Sequence, residues 1–203
     1  MNFLTILPLA FVMIAGPQIL SAIFLATSEN WRRNSAAYVT GAAISISICV
    51  MIAFGLGIGA SNSGASNEAI YIIVILLLVA AGVHVFLARK TAEPPSWMGK
   101  LQTATPGFSF RLGFLLLGIF PTDILTSFAV GGALANDGEP WWHYLPFLGL
   151  TLLFLGLPSL LLLVLGQRAA DFLPKARDWM NTNSWVINEI VIVFFIVLTA
   201  GNL

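Results

Sequence analysis

Six long apolar stretches, each bounded by polar or charged residues, set the pattern of this chain: roughly 3–25, 36–59, 69–88, 112–134, 144–165 and 185–201. About 20 apolar residues cross a bilayer as a helix, so the pattern predicts six membrane spans. The polar connections between them alternate in charge. All nine Lys and Arg residues fall in three of them: Arg32 and Arg33, then Arg89, Lys90, Lys100 and Arg111, then Arg168, Lys175 and Arg177. By the positive-inside rule the segments 26–35, 89–111 and 166–184 are expected on the cytoplasmic side, with both termini outside. The fold class is an all-α integral membrane protein of the plasma membrane, crossing it several times.

Prolines interrupt three of these spans. Gly16-Pro17 falls within span 1, Pro121 within span 4 and Pro158 within span 5. A proline removes one helix hydrogen bond and leaves a carbonyl to be satisfied by protein, ion or water. Spans 1 and 4 are therefore read as broken helices, and Pro158 as a break in span 5.

The halves also echo one another. Pro17 followed by Ile19-Leu20-Ser21 resembles Pro121 followed by Ile124-Leu125-Thr126. The run from Gly41 to Gly57 resembles that from Gly149 to Gly166, with Tyr38 and Tyr144 shortly before. Asn67-Glu68 and Ala81-Gly82 resemble Asn188-Glu189 and Ala200-Gly201. Three spans is an odd number, so the halves insert in opposite orientations, the inverted-repeat plan of secondary transporters. One membrane domain, 1–203, is expected: a first repeat 1–90, a linker 91–110 and a second repeat 111–203. Pro94-Pro95 and Pro106-Gly107 argue against a continuous helix in the linker.

Composition agrees with the pattern. Of 203 residues 58% are hydrophobic and 9% charged, with mean hydropathy +0.92, whereas soluble domains carry about 25% charged residues. The formal net charge is zero, so no general attraction to nucleic acid follows. The lone Cys49 and the two separated histidines, His84 and His143, suggest neither a disulfide nor a metal cluster. The first 27 residues hold no Lys or Arg, and a signal peptide opens on basic residues, so this stretch is read as the first span. No cofactor is expected. Enzymatic activity is disfavoured, because no paired carboxylates, Ser/His pair or phosphate loop falls at membrane depth.

The chemistry is expected at Asp123. A carboxylate at mid-bilayer costs about 2.5–3.5 kcal/mol on insertion scales and is rare there unless it works. Apolar surroundings disfavour its charged form, so Asp123 could take up and release a coupling proton, or hold a cation. Thr122, Thr126 and Gln18 are candidates to share its hydrogen bonds. Gly16, Pro17, Ser21 and Pro121 complete the expected site where broken spans 1 and 4 meet, with freed carbonyls near Gly16 and Phe120 as ligands for a cation or amine. The blander reading is a proline kink with Asp123 paired to a nearby hydroxyl.

Secondary candidates are Glu189, Asn188 and Arg111. For Glu189, pairing with Arg177 or Lys175 is the plainer reading. Arg32, Arg33 and Arg111 set topology, or grip a lipid headgroup. Small residues recur every fourth position in span 2, at Ala37, Gly41, Ser45, Cys49, Ala53 and Gly57. Such a flat face admits another backbone, within the bundle, in a homodimer or along a substrate path.

Ala15-Gly16-Pro17-Gln18, then Ala26-Thr27-Ser28-Glu29-Asn30-Trp31-Arg32-Arg33-Asn34-Ser35 and the Pro121-Thr122-Asp123 segment resemble the GAP family. This is also called the sulfolipid- or peptidoglycolipid-addressing family, within the lysine exporter superfamily. The resemblance covers essentially the whole chain. It implies six spans in inverted repeats and export of envelope lipids or small metabolites, so the expected partners are a lipid or small-molecule substrate, a coupling ion and membrane lipids. Amino-acid-like cargo fits the wider superfamily. A scaffold in an envelope-lipid export machine is the other class of function. Thiol-reductant carriers need cysteines in spans 1 and 4, which this chain lacks.

Overall fold

A computed structural model of the chain describes residues 3–14, 16–57 and 100–183, with isolated positions within 76–87 and 185–197. No strand occurs among the described residues. Spans 69–88 and 185–201, and the echoes that involve them, lie almost wholly outside the described residues. Among the described residues two helices, Trp31–Leu56 and Trp141–Leu165, are long and apolar enough to cross a bilayer, and a bent pair, Pro106–Ile119 with Pro121–Asn136, has the length and composition of a third if it is one span.

The stretch expected as span 1 is broken where the sequence predicts. Helix α1 is Phe3–Ile14 and α2 is Pro17–Ala26. Between them Gly16 takes φ +103° and ψ −137°, a region open essentially to glycine alone. Pro17 then occupies the first helical position, where no N–H is needed and the ring presets φ.

A tight corner follows. The Ser28 hydroxyl donates to the Leu25 carbonyl at 2.7 Å. The buried Asn34 amide donates to Ser28 Oγ and to the Ala104 carbonyl, both at 2.9 Å. This corner lets α3, Trp31–Leu56, start five residues before the expected 36, so Arg32 and Arg33 sit in its first turn. At 26 residues it is about 39 Å long. It ends on Gly57 at φ +59°, a left-handed cap.

The stretch expected as span 4 also begins early. Thr105 Oγ1 accepts the Phe108 amide, Pro106 takes the first helical position, and α4 runs Pro106–Ile119. Thr105-Pro106 is thus a helix start, and the end of the expected linker is helical. After Phe120, α5 runs Pro121–Asn136, bent 68° from α4.

A 3₁₀ turn, Trp141–Tyr144, leads into α6, Leu145–Leu165. Pro158 does not break α6, contrary to expectation. It lies buried inside the helix, depriving the Phe154 carbonyl of one partner, a defect that membrane helices tolerate. Segment 166–184, expected as a loop, is mostly helical: α7 is Gln167–Thr182, reached through a turn at Gly166 (φ +52°). Its high charge hides it from a search for apolar runs. Its buried side, with Ala169 and Leu173, faces the bundle, while Phe172 and Trp179 are exposed.

The small-residue face of α3 packs on α4 and α5, with Gly41, Ser45 and Ala53 buried in the seam. Contact there is backbone to backbone. A Cβ on Gly41 would fall on the Phe110 carbonyl, one on Gly113 on the Tyr38 carbonyl, one on Gly118 on Ser45 Oγ, and one on Gly131 on the Val50 carbonyl. From Tyr38–Gly113 through Ser45–Gly118 to Val50–Gly131 the pairings ascend along both segments, so α3 runs parallel to α4 and α5. Ile44, Ile48, Ile52 and Leu56 form the exposed, opposite stripe of α3.

Candidate functional site

Two helix starts meet inside the bundle. Gln18 is the second residue of α2, and Asp123 is the third of α5. Gln18 Nε2 donates to Asp123 Oδ2 at 2.6 Å, and both residues are 0% exposed. Each helix N-terminus carries about half a positive charge, so the acid sits where the backbone favours an anion. Broken helices facing a central site in this manner are a device of secondary transporters.

Tyr38 adds a third element. From α3 its hydroxyl donates to the Gln18 carbonyl at 2.9 Å, and its side chain is fully buried. It also interacts with Ser21 and with Asp123. Three acceptors around this junction have no hydrogen-bond partner among the described residues: Gln18 Oε1, Asp123 Oδ1 and Ser127 Oγ. Ser127 lies one turn beyond Asp123, on the same face of α5. Buried polar atoms are ordinarily paired, so this cluster has capacity for a proton, a cation or a polar group of a substrate.

Of the residues expected here, Gln18 and Asp123 are joined directly, and Thr122 lies beside the carboxylate. Two hydroxyls are otherwise engaged. Ser21 Oγ donates to the Pro17 carbonyl at 2.6 Å, and Thr126 Oγ1 to the Thr122 carbonyl at 2.7 Å. Bonding back to the carbonyl four residues earlier is a common alternative for helical Ser and Thr. Gly16, Pro17 and Pro121 make the breaks and lie partly or fully exposed.

The expected free carbonyls need correction. Phe120 O accepts from the amides of Asp123 and Ile124, both at 3.0 Å, and Gly16 O accepts from Leu20 at 3.4 Å. Each opens the helix that follows it, so neither is free. Pro121, lacking an N–H, instead leaves the Leu117 carbonyl without its usual donor.

Of the secondary candidates, Arg111 and Glu189 make no hydrogen bond or ion pair to the junction residues among the described residues. Arg111 is exposed on α4, nine residues before Phe120 and so about 13 Å along the axis. Glu189 is partly buried, and its Oε1 has no partner. Neither expected pairing, with Arg177 or with Lys175, occurs among the described residues; Arg177 binds Asp178 at 2.8 Å, and its guanidinium lies over the Phe24 ring. Asn188 lies outside the described residues.

Sequence reasoning missed Tyr38 and Ser127. One signal was available for each: a tyrosine beside a small-residue stripe, and a serine four residues after the buried acid.

The family model described as "Sap, sulfolipid-1-addressing protein" matches residues 6–202, nearly the whole chain. The chain belongs to the sulfolipid-1-addressing protein family. This agrees with the resemblance carried by the Gly16-Pro17-Gln18 and Pro121-Thr122-Asp123 segments, which are the two segments that meet at the junction. No curated protein and no solved structure matches. Membership supports a membrane-embedded protein concerned with sulfolipid addressing.

Proposed function

We propose that the protein is a secondary-active exporter or flippase. It moves an envelope lipid, glycolipid or similar amphiphile across the plasma membrane, with proton or cation binding at Asp123. The observation that carries this reading is the Gln18–Asp123 hydrogen bond at the meeting point of two broken helices, bordered by unpartnered acceptors. The family description supports a lipid as cargo.

The coupling follows from competition. An ionised carboxylate accepts hydrogen bonds from sugar hydroxyls or from an ammonium group, and a protonated one does so poorly. Proton uptake at Asp123 therefore displaces a cargo bound through donors. Cargo and proton then travel in opposite directions, and a proton gradient directed inward drives export. The same logic serves an amino-acid-like amine as an alternative cargo.

The test compares exported lipids and metabolites in a deletion strain and in strains carrying the wild type or Asp123→Asn, with membrane expression confirmed. Retention of one compound inside the cell in both the deletion and the variant supports the reading and names the cargo. Full rescue by Asp123→Asn sinks the coupling role and favours a scaffold in an export machine.

A further inference from the structure

We propose that the crevice between the first turns of α3 and the second half of α6 binds an anionic membrane lipid. One acyl chain lies in the crevice, and the headgroup anion rests against Arg32 and the first amides of α3.

The crevice has a volume of about 420 Å³ and is lined mainly by apolar side chains, among them Val39, Leu152, Leu160 and Leu163. A carbon chain is its natural occupant in a bilayer. Its polar features gather at one end. Trp31 and Arg32 line it there, the guanidinium lying over the indole at 5.2 Å from the ring centre. Tryptophan is enriched at headgroup depth, which suits an occupant that changes from apolar to polar at this level.

The start of α3 is itself an unfilled anion site. Asn30 provides no side-chain cap, and the first turn holds no acidic residue. The Trp31 amide binds Ser28 and that of Asn34 binds Asn30, but the amides of Arg32 and Arg33 find no acceptor among the described residues. A helix N-terminus ordinarily attracts acidic residues. Two arginines there instead add positive charge to the positive end of the helix, and an external anion offsets both. Arg32 and Arg33 are exposed and form no ion pair among the described residues.

Two buried hydroxyls give independent support. Ser35 is 6% exposed, and Ser159 faces it from α6; both line the crevice, and the Oγ of each has no hydrogen-bond partner. Such orphaned hydroxyls call for a polar partner, which the ester oxygens between the headgroup and the acyl chain of a lipid supply. Gly156 also lines the crevice, and a Cβ added to it would meet nothing within 4 Å. The space beside it is therefore open, and a larger side chain there would fill it without disturbing the backbone. The site stands apart from Asp123 and does not depend on the transport reading.

The test is native mass spectrometry of the full-length protein in detergent, titrated with phosphatidylglycerol and with phosphatidylcholine carrying the same acyl chains. The wild type is expected to bind one phosphatidylglycerol in preference to phosphatidylcholine. Arg32→Gln is expected to weaken that binding about fivefold, the ordinary effect of one basic residue at an anionic lipid. Gly156→Leu is expected to reduce both lipids at this site, and Gly156→Ala to do so less. Arg168→Gln, at an exposed position of α7, serves as a control and is expected to change nothing. Equal binding of the two lipids by the wild type overturns the anionic assignment. Unchanged phosphatidylglycerol binding in Arg32→Gln overturns it as well, and this surface variant decides the matter if Gly156→Leu misfolds. A folded Gly156→Leu that binds both lipids normally overturns the crevice.

Discussion

The side chains of Gln18 and Asp123 meet across 105 positions of sequence, amide to carboxylate at 2.6 Å, with neither residue exposed. The bond joins the start of α2 to the start of α5 and ties the two broken spans together at their breaks. Four expectations follow from it and from the packing that supports it.

Removing one partner is expected to cost more than removing both. Gln18→Leu leaves a buried carboxylate oxygen without its donor, a loss of about 1–3 kcal/mol. In the double variant Gln18→Leu/Asp123→Leu the orphan disappears with its partner. A double-mutant cycle, read by denaturant unfolding in micelles, should give a coupling of about 0.5–3 kcal/mol. Strict additivity would mean that the bond contributes nothing.

Tyr38→Phe removes the hydroxyl that holds the Gln18 carbonyl and should destabilise by about 0.5–1.5 kcal/mol. Tyr144→Phe removes a comparable bond to Ser47 and should cost a similar amount. The two should differ in export of the cargo, which falls in Tyr38→Phe and holds in Tyr144→Phe. Equal export in both would remove Tyr38 from the site.

Gly41→Ala and Gly113→Ala each drive a methyl group into the backbone of a neighbouring helix, an overpacking expected to cost about 1–3 kcal/mol. Gly149 has open space around its missing side chain. Gly149→Ala should be neutral or gain up to ~1 kcal/mol from helix propensity. Unfolding midpoints of the three variants, measured side by side, test the seam.

Gly16→Ala forces a side chain into φ +103° and should cost about 1–3 kcal/mol. Pro17→Ala leaves the glycine conformation available and should cost less. Loss of export in Gly16→Ala at normal membrane abundance would tie the break itself to function.

Much of this arrangement could be read from residue types. Gly16-Pro17 and Pro121 carry their backbone consequences in their own chemistry, and a carboxylate two residues after a proline in an apolar run marks its own importance. The every-fourth-residue spacing of Gly41, Ser45 and Ala53 announced a close helix contact, although spacing alone did not name α4 and α5 as its partners.

Other features depend on context that a linear pattern does not hold. Pro106 starts a helix because Thr105 caps it, whereas Pro158 sits within one because the surrounding bundle tolerates the lost bond. Helix α7 is amphipathic and charged, so a search for apolar runs passes over it. Ser21 and Thr126 looked like ligands by type, but each had a closer acceptor one turn back along its own helix. Tyr38 reaches the junction from another helix, a relationship that exists only in three dimensions.

The elbow between α4 and α5 resembles a hinge, yet α3 splints it. Gly41, Gly113 and Gly118 bring the first arm against this helix, and Gly131 brings the second against the same helix further along. With both arms packed on one mast, opening the 68° angle at Phe120 would pull one set of these backbone contacts apart.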